Sequence, residues 1–276
     1  MKRSIIAILS FLFLACFCYG TVNAQEFKFA FLTDMHVHSD STLGQVDQRL
    51  KSLSPQVELL LSGGDNVDID NLKTAELSRG EQRLKQLKNL FDRTKKPYHM
   101  AIGNHDRLPG NLRNGKNDFE LFEKTFGQTY CTFEHKGWKF IVLNSVETKD
   151  NHYIIGEQQL LWLQDVVKNT AKDQPLVIIS HVPFLSVYYP VLEGRYTAAD
   201  TFMNQKLIFD LFKEHSLKLV LQGHMHLYEE IKVKGVQFIT AGAVSGNWWH
   251  GNFEGTDPGH LEVDVKGKDF SWTYVK

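Results

Sequence analysis

Short apolar runs of β-strand character recur along this chain, and five of them hand over directly to residues able to hold a metal ion. Phe27 to Thr33 leads into Asp34 and His36, and Val57 to Leu61 into Ser62-Gly63-Gly64-Asp65. Pro97 to Ile102 runs into Gly103-Asn104-His105-Asp106, Pro175 to Ser180 ends on His181, and Leu217 to Leu221 is followed by Gly223-His224-Met225-His226. Segments of helical spacing separate these strands: Gly44 to Leu53, Asp118 to Phe126, Gly156 to Lys168, Phe202 to His215, and Leu72 to Phe91 with Leu77, Leu84, Leu87 and Leu90 on one face. In α/β sheets the carboxyl ends of the strands open onto a shared crevice. The alternation therefore predicts that sequence-distant loops deliver their oxygen and nitrogen ligands to one place.

The rest of the chain is richer in β. Thr129 to Glu134 and Trp138 to Asn144 read as an antiparallel pair around the Lys136-Gly137 turn, and Glu229 to Val275 is mostly strand with Gly-rich turns. Alternation first and β later predicts an α/β sandwich: two mixed β-sheets packed together and flanked by helices. With no internal repeat or linker, residues 25–276 read as one domain.

Residues 1–24 have a different character. Lys2 and Arg3 precede an apolar run from Ile5 to Tyr19, and small residues at Val22 and Ala24 mark a cleavage site before Gln25. This is the pattern of a secretory signal peptide, and the expected location is exported, either periplasmic or extracellular. The run is shorter than the roughly 20 residues of a spanning helix, so no stable membrane span is expected after cleavage. Phe13-Leu14-Ala15-Cys16 is a poor lipid-attachment box, which makes anchoring through Cys16 the minor alternative. Cys16 and Cys18 fall in this segment, leaving Cys131 without an intramolecular partner and readable as a buried, inert thiol. A formal net charge of -1 and the lack of a polybasic run give no reason to expect specific nucleic-acid binding.

Carboxylate, amide and imidazole ligands without thiolate suit Mn, Fe or Zn in a hydrolytic site and argue against structural zinc or an iron–sulfur cluster. Two ions about 3.5–4 Å apart need a bridging carboxylate, for which Asp65 is the natural candidate.

The series Asp34-x-His36, Gly64-Asp65, Gly103-Asn104-His105-Asp106, His181 and Gly223-His224-x-His226 resembles the calcineurin-like metallophosphoesterase superfamily, with all five blocks in order. The resemblance implies a four-layer αββα fold and two divalent metal ions. It implies that Asp34, His36, Asp65 and His226 hold one ion, and that Asp65, Asn104, His181 and His224 hold the other. It further implies that a hydroxide bridging the metals attacks phosphorus in line with the leaving alkoxide. His105 would then face the substrate, stabilising the transition state or protonating the leaving group. In the Ser/Thr protein phosphatase branch the second Asp of Gly-Asp-x-Val-Asp orients that histidine. Gly64-Asp65-Asn66-Val67-Asp68 matches, so Asp68 is the expected partner of His105.

Departures from particular branches narrow the expectation. That phosphatase branch places phosphate-clamping arginines where this chain has Ile69 and Ile102. Purple acid phosphatases have a metal-bound Tyr at the position of Asp68 and lack the histidine at position 36, so a redox-active centre is not expected. The pattern is closest to the bacterial phosphodiesterase-like members.

Two loops carry the candidate substrate contacts. Val182 to Asp200 is long and aromatic, with Phe184, Tyr188, Tyr189 and Tyr196, and its Arg195 is positioned to reach an anion. Gly242 to Gly251 holds Trp248 and Trp249 among glycines, a pair able to stack on a base, sugar or headgroup or to plug the end of the sandwich. His38 reads as a loop residue and Asp106 as a brace for the Gly-Asn-His loop through backbone hydrogen bonds.

The expected activity is hydrolysis of a small-molecule or polymeric phosphate ester, a phosphodiester in preference to a phosphomonoester. The rivals are a phosphomonoesterase on the same site, a non-catalytic binding protein on this fold, and an amidohydrolase resting on His36 and His38.

Overall fold

The computed structural model describes residues 26–112 and 118–276. The signal peptide expected over residues 1–24, with Cys16 and Cys18, lies outside the described residues. In chain order the elements are β1 (Phe27–Leu32), α1 (Asp40–Lys51), β2 (Val57–Ser62), α2 (Leu77–Arg93), β3 (Tyr98–Met100), α3 (Glu120–Phe126), β4 (Cys131–His135), β5 (Trp138–Leu143), β6 (Glu147–Lys149), β7 (His152–Ile154), α4 (Glu157–Lys168), β8 (Leu176–Ser180), α5 (Gln205–Leu211), β9 (Leu217–Gln222), β10 (Glu229–Val233), β11 (Val236–Thr240), β12 (His260–Lys266) and β13 (Asp269–Val275).

These strands form two mixed sheets. One runs in the order β13-β12-β1-β2-β3 and the other β10-β11-β9-β8-β5-β4, with β6 and β7 as a separate hairpin. β1, β2 and β3 are parallel, as are β5, β8, β9 and β11, so the ligand-bearing ends of β1, β2, β3, β8 and β9 are carboxyl ends. The later strands β10, β12 and β13 add antiparallel edges, as the β-rich second half requires.

Strand alternation explains the layering. Phe27, Phe29 and Phe31 of β1, Leu59 and Leu61 of β2, Phe140 and Val142 of β5, and Leu219 and Leu221 of β9 meet in the seam between the sheets. The intervening Ala30, Leu32, Leu60, Ile141 and Leu143 face outward and pack with helical residues such as Leu84, Leu87, Leu163 and Val167. With β1, β2, β5, β8 and β9 buried on both faces, their near-continuous apolar sequence follows. Each burying face removes several large side chains from water, at about 1.5–3 kcal/mol per residue, which accounts for a stable core without disulfides. Cys131 is a free thiol, partly buried on β4, and burial pushes its pKa up, as expected of an inert position.

The structure departs from the sequence reading in local detail. α1 begins at Asp40 rather than near Gly44, because the Ser39 side chain accepts from the Thr42 amide and the Thr42 hydroxyl returns the bond. Helix is confined to Gln205–Leu211 within the expected Phe202 to His215, and the β6–β7 hairpin had no counterpart in the reading. The loop after His181 contains a π-helical turn, Tyr189–Glu193, which ends on Gly194 in the left-handed region. Among the described residues no helix is long and apolar enough to cross a membrane.

Candidate metal centre

The backbone at the strand ends is unusual. Asp34, His36, Asp65, His224 and His226 all have positive φ, between 43° and 73°. Non-glycine residues avoid this region at a cost of order 1 kcal/mol each, and such conformations persist only where neighbouring structure enforces them. Here backbone bonds between loops do so. The Asp34 amide donates to Gly64 O at 2.9 Å, the His36 amide to Asp65 O at 2.9 Å, and the Ser245 amide to Asp34 O at 3.2 Å. Glycines make the close approach possible: a Cβ on Gly103 would sit 2.0 Å from the Asp65 amide nitrogen and 2.1 Å from its Oδ1.

These turns converge the seven side chains singled out as ligands. Asp34, His36 and His226 offer donor atoms that all lie within 4.8 Å of one another, and so do Asp65, His181 and His224. Asp65 Oδ2 links the groups, 3.7 Å from His36 Nε2 and 3.2 Å from His181 Nε2. Asn104 Oδ1 lies 3.0 Å from His181 Nε2. Asp34, His36, Asp65, His181 and His226 are all buried.

The hydrogen bonds assign a ring nitrogen to the centre in each case. His181 Nδ1 donates to Gly63 O at 2.8 Å, His226 Nδ1 to Gly246 O at 2.5 Å, and His36 Nδ1 pairs with Asp68 Oδ1 at 2.6 Å. That leaves the three Nε2 atoms for the centre, while His224 directs its Nε2 outward to Asp200 Oδ1 at 3.3 Å and keeps Nδ1 for the centre. Outward bonds of this kind orient metal-ligating imidazoles. Furthermore, His36 Nε2 and His226 Nε2 lie 3.0 Å apart, a contact that two lone pairs do not tolerate without a cation or proton between them. The donor set fits a pair of divalent ions.

Electrostatics agree. Burial opposes ionisation of Asp34, yet the hydrogen bond and charge of His226 outweigh it and hold the carboxyl at about 2. Asp65 is likewise held well below the usual carboxylate range, with His181, His105 and His36 overcoming its burial. For His181, burial is again outweighed, this time by Asp65, Asp34 and Gly63 O, which raise it to about 9. Both carboxylates are thus held in the ionised form that a metal ligand needs.

The expected His105–Asp68 pair is corrected by the structure. His105 Nδ1 lies 2.8 Å from Asp70 Oδ1, and Asp68 serves His36 instead. The reason is backbone pairing. Val67 bridges Val37, and the Asp68 amide donates to Val37 O, which turns Asp68 toward the β1 loop. The Ile69 and Asp70 amides both donate to His105 O, at 2.8 and 3.2 Å, and this brings the Asp70 carboxylate to the His105 ring. Ile69 and Ile102, at the positions of the clamp arginines, are fully buried in the core.

Other expected residues divide. Tyr188 and Trp248 line a cavity of about 230 Å³ that opens from Asp65, His105, His224 and His226. Trp249 turns away from it, donates from Nε1 to His36 O at 3.1 Å and packs against the core. Arg195 does not line the cavity; its Nε bonds Glu193 Oε2 at 2.5 Å and its guanidinium covers Tyr189. His38 is half exposed, with Nδ1 3.0 Å from His36 O. Asp106 braces the loop as expected, accepting from the amides of Gly103, Asn66 and Val67. Its burial and the nearby Asp65 charge push its pKa up to about 7 against those bonds. Asp70, Asp200, Glu193 and Phe253 were not singled out from sequence; only the acidic and aromatic content of their loops hinted at them, while Tyr189, named there among the aromatic residues of its loop, lines the cavity beside Tyr188.

The chain matches the calcineurin-like phosphoesterase family over residues 27–228, and it belongs to that family. The two sheets, the flanking helices and the converging His, Asp and Asn side chains make it a metal-dependent phosphoesterase. No curated protein sequence matches it. Among solved structures, a dimetal phosphatase from Danio rerio is similar over 91% of this chain and 99% of its own, with 13% identity and a TM-score of 0.58. A purple acid phosphatase from yellow lupin (Lupinus luteus) seeds aligns over 92% of this chain and 52% of its own, with 14% identity and a TM-score of 0.63. GAP50, the anchor in the inner membrane complex of Plasmodium, covers 91% and 85%, with 17% identity and a TM-score of 0.58. At these identities the likeness is one of fold.

Proposed function

We propose that this phosphoesterase hydrolyses phosphodiesters in preference to phosphomonoesters and acts outside the cytoplasm. Asp34, His36, Asp65 and His226 would hold one divalent ion, and Asp65, Asn104, His181 and His224 the other. When bound, the ions supply a water deprotonated at neutral pH and positive charge beside the phosphoryl oxygens. His105 lines the cavity at its Nε2 end, 4.0 Å from Asp65 Oδ2. It gives the Nε2 proton to the leaving oxygen. Asp70, on Nδ1, holds the ring in that orientation and favours its charged form.

One observation carries the diester preference: among the described residues, no Lys or Arg lines the cavity beside the ligands, and Tyr188, Trp248 and Phe253 form its wall. A phosphomonoester dianion brings an additional charge, usually met by arginine clamps. A diester monoanion brings less charge and a second substituent that the aromatic wall can cover.

The test is hydrolysis of bis-p-nitrophenyl phosphate and p-nitrophenyl phosphate by residues 25–276 with Mn, with Zn and after chelation, with Asp65→Ala as control. Turnover that requires metal, is lost in the variant and is at least about tenfold faster in kcat/KM for the diester is the expected result. Faster monoester turnover would reverse the preference.

A further inference from the structure

Trp248 lines the cavity at the metal centre, but its neighbour Trp249 lines another, of about 510 Å³. α1 supplies Gln45, Gln48, Arg49 and Ser52 to this second cavity, four residues at helical spacing, while Val46 and Leu50 of the same helix are buried in the core. Val244, Ser245, Pro258 and Lys276 complete its main lining. Among the described residues no Asp or Glu lines it.

Arg49 is the half-buried charge of this cavity, and no carboxylate meets it. Among the described residues its one side-chain hydrogen bond runs from Nη2 to Pro258 O at 3.3 Å, and burial lowers its pKa. Carboxylates on neighbouring segments are engaged elsewhere: Glu262 accepts from the Ser54 amide and pairs with Lys28, and Asp257 pairs with Lys276 at 2.5 Å. The last turn of α1 suits a cation, but a helix terminus offsets only about half a charge. The remainder acts on its surroundings. Burial, with the Arg49 charge adding to it, lowers the pKa of the buried His260 to about 4. Ser245 brings a buried hydroxyl that has no partner among the described residues.

The same wall supports the loop of metal ligands. The Val244 amide donates to Thr33 O at 2.9 Å, the Ser245 amide to Asp34 O at 3.2 Å, and Trp249 Nε1 to His36 O at 3.1 Å.

We propose that this cavity is a second binding site, for an organic carboxylate with a flat apolar body, and that its occupant tightens metal binding, whichever phosphate ester the enzyme hydrolyses. The guanidinium fork of Arg49 takes both oxygens of a planar carboxylate. The Gln45 and Gln48 amides donate and accept around it, and the apolar body lies against Val244 and Trp249. A phosphomonoester dianion would bring a second charge, and Lys276 is already committed to Asp257. A ligand packed on Trp249 favours the orientation in which Nε1 meets His36 O, and with it the backbone that presents Asp34 and His36.

Isothermal calorimetry of the metal-loaded protein compares 2-naphthoate with 2-naphthamide, its uncharged counterpart. The carboxylate should bind at least about tenfold tighter than the amide, the effect of a charge-assisted bidentate pair. Arg49→Gln should remove that difference. Gln45→Trp, which puts an indole into the cavity from an exposed position of α1, should abolish binding of both. In Asp65→Ala the carboxylate should still bind, at most about fivefold weaker, because the metal ions are not what holds it; its loss there would locate it at the metal centre and overturn the proposal. Equal affinities, no saturable heat, or a preference that survives Arg49→Gln would overturn it as well. Mn titrated into chelator-treated protein should bind about fivefold tighter with saturating 2-naphthoate, in wild type but not in Arg49→Gln. Identical Mn isotherms would overturn the coupling.

Discussion

His105 Nδ1 lies 2.8 Å from Asp70 Oδ1, while Asp68, two residues earlier, is bonded to His36 at 2.6 Å. The two carboxylates flank one extended segment and serve different histidines, one proposed to meet substrate and one to meet metal. Asp70→Asn should therefore lower kcat by about 10–100-fold with KM and metal stoichiometry little changed, the signature of a group acting through the general acid. Asp68→Asn should instead weaken metal affinity by about 10–100-fold, with activity recovered at high metal concentration. Steady-state kinetics across a metal titration read both variants, and the same response from the two would refute the division.

Gly103 permits Asn104 and His105 to approach Asp65. A methyl group there would collide with the Asp65 backbone, which cannot give way because β2 and the Asp34 loop hold it. Gly103→Ala should destabilise the protein by about 2–4 kcal/mol and reduce metal binding together with stability. Thermal denaturation in the presence of chelator isolates the structural part; a melting temperature within about 2 °C of wild type would show that the loop relaxes.

The cluster sets the ionised carboxylates of Asp34 and Asp65 among the imidazoles of His36, His181, His224 and His226. An ion that binds the folded chain and not the unfolded one stabilises it by about 2.7 kcal/mol at one hundred times its dissociation constant. For a chain of this size that corresponds to about 5–10 °C in melting temperature. Adding Mn or Zn to chelator-treated protein should produce this rise, and Asp65→Ala, which removes a ligand from both sets, should abolish most of it. Calorimetry with and without metal measures the difference directly.

The centre was legible because its ligands follow strand ends, and parallel strands bring those ends together whatever the intervening sequence. Asp34, Asp65, Asn104, His181 and His224 needed only that rule. The partner of His105 was not legible. Asp68 and Asp70 lie in the same short extended stretch, and the choice between them depends on Val67 pairing with Val37 and on two amides meeting His105 O. Those contacts join loops thirty or more residues apart. Local pattern likewise identified the aromatic loops, but their direction follows from left-handed turns at Trp248, Trp249 and Asp200, which propensity does not encode. The place of Arg195 was hidden in the same way: the turn at Tyr189–Glu193 leaves it over the Tyr189 ring and paired with Glu193.

His99, on β3, stacks on Phe133 of the facing sheet at 3.4 Å, away from the metal centre. Burial, with the charge of His135 adding to it, lowers its pKa to about 4. The unfolded chain takes up that proton near pH 6.5. Between these values the unfolded state binds more protons, so the contribution of the neutral ring is complete above pH 6.5 and is lost as pH falls toward 4. Allowing for the ring's partial exposure, the loss amounts to roughly 1–2 kcal/mol across the window. The melting temperature of His99→Phe, measured against wild type at matched metal concentration, should gain on it steadily from pH 7 to pH 4.5. A constant difference would place the acid sensitivity elsewhere.

Trp248 and Trp249 are adjacent and share an unfavourable backbone region, yet they do opposite work. Trp249 closes the turn with its amide on Ser245 O at 2.7 Å and sends Nε1 to His36 O, packing on the core as it does so. Removing its side chain leaves a cavity beside the His36 loop and a carbonyl without its donor, so Trp249→Ala should cost about 3–5 kcal/mol and displace His36. Trp248 is 41% exposed and touches mainly rings that line the cavity. Trp248→Ala should cost about 1 kcal/mol or less. Its effect belongs on substrate: KM for an aromatic diester should rise while the melting temperature stays near wild type. Should the two substitutions destabilise the protein equally, Trp248 would be a structural plug like its neighbour, and the wall it forms would have no claim on substrate.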